Sequence, residues 1–107
     1  MSQTDYDHVE ALVQEAGETV LSGREDTHGH IRDNFQQISE FWSSYLGTQV
    51  SPSDVAIMMV MLKISRQSVG SEEWDHYVDM IGYSAIAGAL SPDALPDFET
   101  LKTGEEQ

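Results

Sequence analysis

Asp75 and Asp79 stand four residues apart in a stretch of helical apolar spacing, and Tyr83 follows four residues later, so the three share one helical face. Glu72 lies one turn before Asp75. Two carboxylates a turn apart can hold a hard cation such as Mg²⁺, which takes oxygen ligands and keeps several waters. Upstream, Lys63 and Arg66 close an apolar run. Arg offers phosphate a bidentate fork, so cations ending one helix and acids opening the next have the makings of a metal–phosphate site. The same residues also have plainer roles. Acids near a helix start and cations near a helix end complement the macrodipole, and Asp79, deeper in its helix, can pair with Lys63 or Arg66.

Scarcity sharpens the cations' meaning. Of five Lys plus Arg residues, Arg24, Arg32, Lys63 and Arg66 fall in one loop and the helices around it. That loop, GREDTHGH, carries His28 and His30 beside Glu25, Asp26 and Asp33. A His-x-His with acids can bind a transition metal, but no third ligand is defined. His8 and His76 belong to no motif. No G-x-S-x-G nucleophile elbow and no G-x-x-x-x-G-K-[ST] phosphate loop occurs.

The chain has 107 residues, enough for one core. With 39% hydrophobic residues its composition is not that of a disordered chain. Its 19 Asp plus Glu against 5 Lys plus Arg leave a net charge of −14. Repulsion of that size on a small body is weakly screened at ordinary ionic strength and well screened in molar salt, so a halophilic origin is expected. The acidity argues against direct DNA or RNA binding, because no basic stripe exists to neutralise phosphates. Cysteine is absent, which excludes disulfides and thiolate metal sites. The start, MSQTDYDHVE, has neither a basic nor an apolar signal region, and no apolar run reaches the roughly 20 residues that span a bilayer. A cytoplasmic protein without membrane contact is expected.

Four helices are predicted to position these groups, with no strand and no internal repeat. The first runs from Asp5 to Leu21, capped by Thr4 or Asp5, after a frayed start over residues 1–4. The second runs from Ile31 to Leu46 with a stripe of Ile31, Phe35, Ile38, Phe41, Trp42, Tyr45 and Leu46, read as core, and Gly47 ends it. Ser51-Pro52-Ser53-Asp54 spells a capping box with Pro at the first position, opening a third helix to about Ser68. Its centre is apolar all round, which suits either burial among the other helices or sharing with a second subunit. Ser71 is expected to cap a fourth helix ending near Leu90, with Glu72 and Glu73 in its first turn and Trp74, Val78, Ile81 and Ala85 on its core face. This makes an all-α, four-helix domain over residues 1–90, and 91–107 reads as a Pro-containing acidic arm.

The combined pattern resembles a small uncharacterised family of tailed phages, archaeal viruses and prophages. It consists of Arg24…His28-Gly29…Asn34-Phe35-x-x-Ile38…Trp42, then Asp54-Val55-Ala56-x-Met58-Met59…Lys63-x-x-Arg66, then Asp75-x-x-x-Asp79-x-x-Gly82-Tyr83. That family usually carries an aromatic-Gly pair where this chain has His28-Gly29. The pattern is also distantly similar to phage nucleotide-modification-associated proteins and to MazG-like all-α nucleotide pyrophosphohydrolases. Those enzymes hold Mg²⁺ with E-x-x-E on one helix and E-x-x-D on another. Glu72-x-x-Asp75 matches the second pair in form, and Asp79 is the acid that the phage family repeats. The first pair is absent from the third helix, and Glu15-x-x-Glu18 spells it only on the first.

The resemblance implies a virus-encoded protein that binds nucleotides or, with Mg²⁺, cleaves nucleoside triphosphates to monophosphates. Asp75, Asp79 and Glu72 would hold the metal. Lys63, Arg66 and Arg32 would meet phosphate, and Asn34 and Tyr83 base or sugar. Subunit pairing through apolar helices, giving a homodimer or higher oligomer, goes with it. The alternative is a non-enzymatic viral interaction or virion protein that uses the helices as scaffold.

Overall fold

The computed structural model describes residues 1–22 and 30–94. It contains four helices and, among the described residues, no strand: α1 Gln3–Ser22, α2 Ile31–Leu46, α3 Pro52–Val69 and α4 Trp74–Leu90. The expected loop motif His28-Gly29, with Arg24, and the arm beyond residue 94 lie outside the described residues.

Two helices open by the same local chemistry. At α3, the Ser51 hydroxyl accepts from Asp54 N–H at 3.0 Å and the Asp54 carboxylate accepts from Ser51 N–H at 3.0 Å, satisfying two donors that a helix start would otherwise leave orphaned. Ser2 and Asp5 repeat it at α1, with 2.9 Å from Ser2 N–H to the carboxylate and 3.1 Å from Asp5 N–H to the hydroxyl. The expected frayed start is therefore ordered from Gln3: Ser2 is the cap, and Asp5 is the acid reaching back. At the other end of α2, Gly47 takes φ 70° and donates to Ser43 O, the left-handed stop that glycine adopts without strain.

The start of α4 departs from expectation. Ser71 caps nothing; its hydroxyl meets Glu73 Oε1 at 3.2 Å. Gln67 of α3 reaches across instead, its Oε1 accepting from Glu73 N–H at 3.4 Å and lying 2.7 Å from His76 Nδ1. With a neighbouring helix satisfying that donor, the chain stays extended through Glu73, and Asp75 is the acid of the first turn.

The α3–α4 hairpin is the centre of the fold, with α1 packed on α4 and α2 on α3. It is antiparallel, as shown by Ser53 donating to Ala87 O at 2.8 Å near one end and Gln67 donating to Tyr77 Oη at 3.1 Å near the other. Phe35, Val50, Val55, Ala56, Ala87 and Leu90 form the core, and Ile31, Ile38, Trp42, Met58, Tyr83 and Ile86 pack against it. The aromatic stripe of α2 divides. Phe35 is buried, whereas Phe41 and Tyr45 are 64% and 90% exposed, because the 31/35/38/42 spacing takes the inward line and 41/45 falls to its side. On α4 the inward face carries Val78, Gly82, Ala87 and Leu90, while Ala85 is exposed and Trp74 is 41% exposed. Trp74 is held at the rim by α1: its indole N–H donates to Glu15 at 3.2 Å, and its ring meets His8 edge-on at 6.3 Å.

Candidate functional site

The turn of the inward face of α4 toward Val78 and Gly82 decides where the candidate residues go. Asp79 and Tyr83 flank that line and are half-buried, whereas Asp75, one turn earlier, is exposed. The Asp79 carboxylate meets Lys63 of α3, with Nζ 2.8 Å from Oδ2 and side-chain exposures of 34% and 18%. Of the two partners open to Asp79, the hairpin register therefore selects Lys63. Tyr83 tilts against Phe35 with ring centroids 6.4 Å apart.

A cavity of about 230 Å³ opens beside this pair, between α1, the start of α2 and α4, with Asp79, Gly82, Tyr83 and Ile86 on one side and Val20 and Ile31 opposite. Gly82 brings α1 close: a Cβ there would lie 3.1 Å from a Val20 methyl. A second hollow of about 370 Å³ shares Val20, Ile31 and Ile86 and carries Arg32 at its edge. The two hollows are neighbours through these shared residues, with Asp79 and Tyr83 lining the first and Arg32 among the residues of the second.

The other expected residues stand elsewhere. Arg66 is exposed and faces a shallow hollow at the α3–α4 turn with His76 and Glu73. Asn34 is exposed on the first turn of α2, its N–H donating to His30 O at 3.1 Å. Glu72 accepts from the Tyr77 hydroxyl at 2.6 Å, and this bond holds the phenol above its ordinary pKa of 10.0, since the neutral form is the donor.

Glu72, Asp75 and Asp79 thus have three separate settings: a phenol, solvent and an ammonium. Among the described residues no three His, Cys, Asp or Glu side chains come close enough to share a metal ion. Glu72, Asp75 and Asp79 therefore do not converge as a set of three. Sequence reasoning missed Gln67, the junction of the α3–α4 turn, and the surface shared by Val20, Ile31 and Ile86. Gln67 sits one residue after Arg66 in a polar helix end and gives no local signal. The shared surface joins residues from three helices.

Comparison with known proteins gives the setting. The chain is 33% identical over 98 residues, 91% of its length, to the Gene 55 protein of Mycobacterium phage L5. It is 35% identical over 75 residues, 70% of its length, to the Gene 55 protein of Mycobacterium phage D29. These alignments cover 61% and 50% of the two phage proteins, so the chain spans little more than half of the curated relatives it matches. No solved structure matches at a significant level. No described helix is long and apolar enough to cross a membrane. Residues 11–91, which take in every described site residue named above, match the domain of unknown function DUF6378, and the chain belongs to that family.

Proposed function

We propose that this domain binds a nucleotide, with the base in the Asp79–Tyr83 cavity and the phosphates running over Val20 and Ile31 toward Arg32. The observation that carries this reading is that two neighbouring hollows share Val20, Ile31 and Ile86, with Asp79 and Tyr83 lining one and Arg32 among the residues of the other. Small-molecule sites are mostly apolar with a few convergent polar groups, which describes these walls. The Lys63 charge is already met by Asp79, so Arg32 is the better phosphate contact. The geometry supports binding further than it supports hydrolysis, since the described carboxylates do not converge. The test is a panel of dNTPs with Mg²⁺ in molar KCl, read by melting temperature and pyrophosphate release. A bound nucleotide at 100 times its Kd stabilises by about 2.7 kcal/mol. A panel that neither raises the melting temperature nor yields pyrophosphate sinks the reading. Arg32→Ala is expected to weaken triphosphates and leave nucleosides unchanged.

A second reading, a scaffold that pairs with itself or another protein, is favoured by a separate observation. Phe41 and Tyr45 of α2 and Met61 of α3 are 64%, 90% and 58% exposed, and Ile57 and Ile64 extend the apolar line on α3. Positions 57, 61 and 64 fall on one helical face, and an exposed apolar face of this kind marks an interaction surface when it is large. A homodimer or larger assembly in light scattering at high salt, reduced to monomer by Met61→Glu, is the expected outcome. A wild-type monomer under those conditions removes it.

A further inference from the structure

We infer that the Asp79 end of the cavity reads the edge of the base and selects guanine. This rests on the nucleotide reading and adds to it the class of base. A cavity of about 230 Å³ is smaller than the roughly 300–1,000 Å³ that encloses a drug-sized ligand. It therefore takes one planar ring system and leaves sugar and phosphates outside. Its walls suit the flat faces of a base: Val20, Ile31 and Ile86 are aliphatic, and Gly82 leaves one stretch without a side chain. Its one charged wall residue is a carboxylate, which repels phosphate and accepts hydrogen bonds.

Lys63 Nζ takes Asp79 Oδ2 at 2.8 Å, and a carboxylate offers about four acceptor positions over its two oxygens, so acceptor capacity remains for a ligand. The contact with Lys63 also restrains the Asp79 side chain at the cavity wall. Among the common bases, guanine alone presents two adjacent donors on its pairing edge, N1–H and the 2-amino group, and these match a carboxylate. Thymine and uracil present a single N–H flanked by carbonyl oxygens that face the carboxylate unfavourably. Adenine and cytosine set an acceptor ring nitrogen beside their amino group. Leaving that mismatch unpaired in a part-buried site is what makes it discriminating.

The experiment measures binding of dGTP, dITP and dTTP to the whole chain by titration calorimetry with Mg²⁺ in molar KCl. dITP differs from dGTP only by the missing 2-amino group. dGTP is expected to bind at least about tenfold more tightly than dITP or dTTP, the scale of one charge-assisted hydrogen bond. Asp79→Asn places an amide donor against those donors and is expected to bring the dGTP-to-dITP ratio within about threefold; a purely structural role would weaken all three nucleotides alike. Thr19, exposed at the cavity rim, gives a variant that spares the packing. Thr19→Trp is expected to abolish dGTP binding at an unchanged melting temperature. Equal affinity for dGTP and dITP, or a preference that survives Asp79→Asn or Thr19→Trp, overturns the guanine inference while nucleotide binding stands. Failure of all three nucleotides to bind overturns both.

Discussion

Lys63 Nζ lies 2.8 Å from Asp79 Oδ2, tying the last turns of α3 to the middle of α4. Asp79 is also one of the residues lining the cavity between α1, α2 and α4, so one residue links the hairpin register to the candidate site. A part-exposed pair of this kind couples by about 1 kcal/mol or less, with the Coulomb gain reduced by solvent. A double-mutant cycle of Lys63→Met and Asp79→Asn, read by urea unfolding, is expected to give that coupling and to lose most of it between low salt and molar KCl. A coupling unchanged by salt would show that the two side chains interact by packing instead.

The two capping boxes can be compared directly. Ser51→Ala removes the acceptor for Asp54 N–H and is expected to cost about 1 kcal/mol, because α3 is half of the central hairpin. Ser2→Ala removes the equivalent bond at α1, where the exposed first turn can fray without disturbing the core. Its effect on global unfolding is expected to be smaller, and to appear as faster amide exchange over the first turn.

Acid should loosen that same turn. The Ser2 N–H, which donates to the Asp5 carboxylate, holds its pKa below the ordinary 3.8. A depressed carboxyl contributes stability that is complete above about pH 3.8 and disappears as pH falls through the lower folded value. Amide protection near Ser2 is expected to drop across that window in wild type, and Asp5→Asn should remove the pH dependence.

Alkali tests the α3–α4 turn. The Tyr77 hydroxyl donates to Glu72, so it should ionise above its ordinary value of 10.0. Its contribution is complete below pH 10 and disappears as pH rises through the higher folded value. Phenolate absorbance compared between wild type and Tyr77→Phe isolates this residue. Glu72→Gln is expected to move its titration downward, and no movement would remove the hydrogen bond as the cause.

Glycines of α1 and α4 should respond oppositely to alanine. Gly17 has no neighbour within 4 Å of a would-be Cβ, so Gly17→Ala is expected to stabilise by about 0.5–1 kcal/mol through helix propensity. At Gly82 the Cβ would press on Val20 at 3.1 Å, and that crowding offsets the same gain. A melting temperature for Gly82→Ala that rises as much as for Gly17→Ala would mean that α1 and α4 separate easily.

Much of this was legible in the residues themselves. The apolar period set α2 and α3 to within a residue of their ends, Gly47 marked a stop, and Ser51-Pro52-Ser53-Asp54 announced its capping box, because each is decided by bonds within one or two turns of chain. The pattern also carried the family, since the matched region holds the quoted motifs of α2, α3 and α4. What the sequence left open was direction. Val55 to Leu62 is apolar on every side, so nothing in it says that Val55 and Ala56 turn inward while Ile57 and Met61 face out. Only packing against α4 and α2 decides that. The same packing turned Gly82 rather than Ala85 inward, gave Asp79 to Lys63 rather than Arg66, and parted Glu72 and Asp75 from Asp79. Helical spacing fixes which residues share a face; the neighbours that fill the other side of the contact fix which face is buried, and the cavity exists only because three helices meet there.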